Sequence, residues 1–64
     1  MEMDIEEVTE IANEYMKKAG YSYTKVESVK HENGKWKVVI SSVLRDVTKT
    51  IFIDDSNGKV IGYE

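Results

Sequence analysis

The sequence predicts an α+β domain: one N-terminal helix packed on a four-stranded antiparallel β-meander, in the order αββββ. Three observations predict it. Apolar residues in the first twenty positions recur at spacings of three and four, which makes a one-sided helix. Past Tyr21 the composition turns β-branched, with eleven of the fourteen Val and Ile residues lying beyond it. Two strong turn signals, Asn33-Gly34 and Asp55-Ser56-Asn57-Gly58, then divide stretches of apolar alternation.

The helix is expected over about residues 4–19, with Ile5, Val8, Ile11, Ala12, Tyr15, Met16 and Ala19 forming its stripe. Asp4, three residues ahead of Glu7, is placed to cap the amides that the first turn leaves without partners. Acidic residues crowd the start, Lys17 and Lys18 the end, and Gly20 follows as a residue able to take positive φ. Strand one is expected over about residues 23–32 and strand two over 35–44, joined by the Asn33-Gly34 turn. Strand three follows over 47–54 after a weaker Arg45-Asp46 turn, and strand four over 59–63. Residues 1–64 form a single domain, since a chain this short holds one core.

Paired residues of an antiparallel sheet share a face, so the turns set a register. They place Val29 opposite Val38, His31 opposite Trp36, Ile40 opposite Ile51, Val38 opposite Ile53, Ile53 opposite Val60 and Ile51 opposite Gly62. The face the helix covers is then Val29, Trp36, Val38, Ile40, Ile51, Ile53 and Val60, with Gly62 leaving room for the helix or Trp36. The opposite face is largely polar. The same register nevertheless lines Val39, Phe52 and Ile61 in a row across it, with Val26, Val43 and Tyr63 nearby. These six residues are the candidate partner surface.

Charge and composition narrow the function classes. The net charge is −3, and Lys17 and Lys18 face six acids in residues 1–20, so the acidity belongs to the helix. That balance argues against a nucleic-acid partner, although Trp36, Tyr21 and Tyr23 among strand lysines sketch a stacking platform. The absence of cysteine removes disulfides, thiolate metal sites and thiol nucleophiles. With one histidine, no metal site is expected; His31 instead reads as a rim residue packed on Trp36. No serine sits in a nucleophile-elbow context, and no glycine pattern cradles a phosphate. A calcium loop fails because Ile53 falls where its first oxygen ligand belongs. No catalytic residue, cofactor or metal is therefore assigned. No apolar run is long enough to span a bilayer and the N-terminus is acidic, so a cytoplasmic chain without a membrane partner is expected.

The helix, the strand Lys35-Trp36-Lys37-Val38-Val39-Ile40 and the run Ile51-Phe52-Ile53-Asp54-Asp55-Ser56-Asn57-Gly58-Lys59-Val60 together resemble PepSY-type domains. The tail from Gly58 to Glu64 is similar also to the end of gas-vesicle protein O, an accessory protein with a comparable Trp-containing strand. The PepSY resemblance implies a helix on an antiparallel sheet and a role in protease inhibition or regulation, and it supplies no catalytic motif. The function expected is a non-catalytic protein-binding or assembly module, self-associating through the Val39, Phe52, Ile61 face or an edge strand. The alternative is a ligand-binding or enzymatic cleft between helix and sheet with His31, Trp36 and Tyr15 at its mouth.

Overall fold

A computed structural model describes residues 3–64. It has helix α1 (Ile5–Lys18) followed by strands β1 (Thr24–Glu32), β2 (Lys35–Ser42), β3 (Val47–Asp54) and β4 (Val60–Tyr63). The strands form one antiparallel sheet in the order β1-β2-β3-β4, with α1 across one face. The α+β meander is thus the observed architecture.

Both helix ends are closed by the residues that signal them. The Asp4 carboxylate accepts from the Glu7 amide at 2.9 Å, satisfying one of the donors the first turn exposes. At the other end the Gly20 amide donates to the Lys17 carbonyl and the Tyr21 amide to the Met16 carbonyl, both at 3.0 Å. That pair of bonds needs a left-handed residue between them, and Gly20 supplies it at φ +94°. The chain therefore leaves the helix sharply and enters β1 within a few residues.

Among the described residues seven apolar side chains are fully excluded from solvent: Val8, Ala12 and Met16 from α1, Val38 and Ile40 from β2, Ile51 and Ile53 from β3. The helix residues are four apart and the strand residues two apart, so each set is one face of its element. Met3, Ile11, Tyr15, Val29, Trp36 and Val60 are among the residues packed around this centre. Ile5, counted in the helical stripe by spacing, lies past the end of the buried layer and is 55% exposed.

The register differs from expectation in three places. Between β2 and β3, Val38 pairs with Ile51, Trp36 with Ile53 and Ile40 with Lys49, a slip of two residues. A two-residue slip keeps every side chain on its face, which is why the predicted core survives it. The cause is a longer turn: β2 ends at Ser42, which is buried and donates its hydroxyl to the Ser22 carbonyl at 3.2 Å. The Val43 amide then bonds to the Tyr23 carbonyl, and residues 43–46 reverse the chain with Asp46 at φ +52°.

The other two differences are bulges. One falls between Val26 and Ser28 on β1 and puts Val26 opposite Ile40, against the core. The other falls between Phe52 and Ile53, where β4 carries the extra residue Ile61; Ile53 meets Val60 as expected, but Ile51 meets Tyr63 and Phe52 meets Gly62. An extra residue reverses the side-chain alternation beyond it. Gly62 consequently lies on the outer face beneath Phe52, where an added Cβ would come within 3.0 Å of the ring, rather than on the covered face.

Truncation within the buried layer separates core from rim. Met16→Ala should cost about 2–5 kcal/mol, a large share of what a domain this small possesses, whereas Ile5→Ala should change stability by less than about 0.5 kcal/mol. Urea unfolding followed by Trp36 fluorescence measures both.

Candidate functional site

The two type signals that form the β1–β2 and β3–β4 hairpins also bring a cluster of side chains together at one end of the sheet. The β1–β2 turn has Asn33 at φ +51° and Gly34 at φ +74°, the pair of left-handed residues that a tight hairpin requires. In the β3–β4 turn the Asp54 carboxylate accepts from the Ser56 amide at 2.8 Å and the Ser56 hydroxyl at 2.6 Å. This aims the next residue, Asp55, back at the first hairpin, and the Asp55 amide bonds to the Gly34 carbonyl at 3.1 Å.

The Asp55 carboxylate accepts from Trp36 Nε1 at 2.7 Å through one oxygen and lies 3.0 Å from His31 Nε2 through the other. His31 and Trp36 stack with their ring centres 4.2 Å apart and an 11° angle between planes. One carboxylate thus holds two stacked rings from neighbouring strands. The Trp36 hydrogen bond, assisted by His31 and opposed by partial burial, keeps the Asp55 carboxyl below its ordinary value of 3.8. The Ser56 hydroxyl and amide do the same for Asp54. A histidine oriented by an aspartate is half of an acid–base relay, but no hydroxyl nucleophile bonds to His31 among the described residues, and neither surface groove reaches it. The cluster is a staple between hairpins. Its carboxylates are committed to that geometry, and no group of three or more metal-ligating side chains converges among the described residues.

A second aromatic cluster draws on α1, β4 and the segment between α1 and β1. Tyr15 and Tyr63 meet at 5.0 Å with planes at 58°, and Tyr21 joins them. Burial, and then a hydrogen bond with Tyr21, pushes the Tyr63 hydroxyl above its ordinary 10.0. Lys49 lies over the Tyr63 ring and Arg45 over the Tyr21 ring, each at 5.5 Å. Trp36 stands at the β1–β2 turn, whereas Tyr21 and Tyr23 precede β1 at its other end, so these three rings are not brought together.

The six candidate partner residues separate. Val26 and Tyr63 pack against the core, for the bulges at Glu27 and Ile61 turn them onto the covered face. Val39 and Phe52 stay on the outer face, half-buried, but the row is broken: Val39 opposes Thr50, and Phe52 sits between Lys37 and Gly62 with the Lys35 ammonium 5.2 Å from its ring centre. Ile61 is pushed outward by its bulge and is 56% exposed. Val43 projects from the β2–β3 turn beside Leu44 and Tyr23, at 69%, 68% and 74% exposure. Leu44 and Tyr23 are the surface residues that strand periodicity missed. No local signal marks them, since adjacent apolar residues such as Val38-Val39 and Ile51-Phe52 also lie within the strands.

The main groove, of about 650 Å³, lies between α1 and β1, over Ile5, Val26 and Val29. Trp36, His31 and Tyr15 do not line it. No helix among the described residues is long and apolar enough to cross a membrane. Comparison with protein-family models, curated proteins and solved structures gives no match.

Acid should release the staple. With its folded-state pKa below 3.8, Asp55 contributes stability that is complete above that value and is lost as pH falls through the lower folded value. Asp55→Asn should lower the urea midpoint at neutral pH and flatten its decline below about pH 4. An unchanged midpoint and an unchanged acid limb would show that the carboxylate holds nothing.

Proposed function

We propose that the domain is a non-catalytic protein-binding or assembly module that contacts a second copy of itself through the apolar β2–β3 end of the sheet. The observation that carries this reading is the exposure of Tyr23, Val43 and Leu44 side by side, outside a core that is already complete. Val43 and Leu44 on the turn, with Tyr23 joined to Val43 through its carbonyl, are more than scattered surface residues, and covering them removes apolar area from water. The outer face adds Ile61 as a second exposed apolar site.

Other features support a binding role over a chemical one. The one Asp–His pair is consumed in joining two hairpins, and every buried side-chain polar atom among the described residues has a partner. A filled, satisfied interior leaves the surface as the working part. The resemblance to PepSY-type domains, modules associated with protease inhibition or regulation, points the same way.

Because the apolar tip is small beside a standard interface, the association should be weak and concentration-dependent. Sedimentation velocity over a wide concentration series should show reversible dimer formation. Leu44→Lys should raise the dimer dissociation constant by about tenfold or more while moving monomer stability by less than about 0.5 kcal/mol. A strict monomer at every concentration contradicts self-association.

A further inference from the structure

The groove between α1 and β1 has a different character from the apolar tip. Its floor is Ile5, Val26 and Val29, and along its helical side stand Glu6, Glu10 and Glu14. Its other side is β1, an edge strand of the sheet. In the tight β1–β2 hairpin Glu32 and Lys35 form the hydrogen-bonded pair next to the turn, so alternation leaves the backbone groups of Val29 and His31 facing the free edge. An extended segment laid there finds unpaired backbone partners on one side and a charged rim on the other.

The rim selects the segment. Glu6, Glu10 and Glu14 are four residues apart, about 6 Å per step along a helix. Side chains on one face of an extended strand repeat every 6.7 Å or so, nearly the same interval. Like charges at this helical spacing weaken an isolated helix, and the one ion pair among the described residues, His31–Asp55, does not involve them. Only Lys17, at the far end, brings a cation to the groove lining.

We infer that the β1 edge accepts a short extended peptide with Lys or Arg at alternate positions, added as a fifth strand. Its cationic side chains lay their aliphatic stems on Ile5, Val26 and Val29 and set their charged ends against Glu6, Glu10 and Glu14. A second copy of the chain does not fit. The inward-facing residues of its edge strands, Thr24, Val26, Val29 and His31 on β1 and Val60 and Tyr63 on β4, include no Lys or Arg, and β1 pairing would set two acidic rims together. The Thr24 hydroxyl bonds to Asn13 at 3.1 Å, which sets the rim beside the first half of β1 as well, and the bulge at Glu27 between the two halves blunts the edge against unselective strands.

The test titrates the full chain with the acetylated peptide Thr-Lys-Thr-Lys-Thr-Lys-Thr, followed by amide chemical shifts and hydrogen exchange. The peptide should bind saturably at low salt, weaken as salt rises, and slow exchange of the Val29 and His31 amides; its Thr-Glu counterpart should not bind. Glu6→Gln with Glu10→Gln should weaken binding roughly three- to tenfold. Leu44→Lys should leave it unchanged, which separates this edge from the apolar tip. Binding without protection of those two amides, binding indifferent to the glutamate changes, or no binding overturns the inference. Protection of the same amides in the free protein at high concentration also overturns it, because a second copy then occupies the edge.

Discussion

Everything in this domain depends on one contact: the stripe Val8, Ala12, Met16 of α1 seated on Val38, Ile40, Ile51 and Ile53 of the two central strands. A single sheet has two faces, and a chain of 64 residues without disulfides has one helix with which to cover one of them. A helix of 14 residues is about 21 Å long, and it packs against β1, β2 and β3. The caps at Asp4 and Gly20 matter because they fix where that stripe begins and how the chain turns back beneath it. The bulges matter because they decide which residues of the edge strands belong to the same layer.

The Asp55 staple serves the same contact from the end of the sheet. Asp55 joins residues 19 and 24 positions away, so it links the β1–β2 hairpin to the β3–β4 turn at the same end of the sheet. Each hairpin alone is marginal in water. Fastened together they present a continuous face to the helix. Neutralising the carboxylate removes the charge that both rings lean on, and burying the Trp36 indole without it would leave a donor unsatisfied.

Much of this was legible in the sequence because the signals were local. Helix spacing, the cap at Asp4, the glycine after the helix and the Asn33-Gly34 turn each name their structure within a few residues, and they agree with one another. The covered face was also legible, since the β2–β3 slip was by two residues and an even slip preserves faces. What could not be read was set by distant partners. The bulge at Ile61 sets Gly62 beneath Phe52, and no neighbour of Ile61 announces it. Val26 and Tyr63 were consequently assigned to the open face. In the candidate surface, Val43 was found through its apolar character, but its companions Tyr23 and Leu44 were hidden by a turn that proved longer than Arg45-Asp46. The stacking of His31 on Trp36 was anticipated from hairpin register; the carboxylate that holds the stack lies too far along the chain to have been.

The helix and the central strands form one cooperative unit, with the proposed contact surfaces at its margins: an apolar turn at one end, a stapled pair of hairpins at the other, and a free edge beside the acidic flank of the helix. Native-state hydrogen exchange under increasing denaturant tests that claim most directly. The amides of α1 around Ala12 and those of β2 and β3 around Val38 and Ile51 should exchange through one opening, with the same free energy and the same denaturant dependence, equal to global unfolding. If the α1 amides exchange through a much cheaper opening while β2 and β3 remain protected, the sheet stands without the helix and the contact on which the account rests is not what holds the fold.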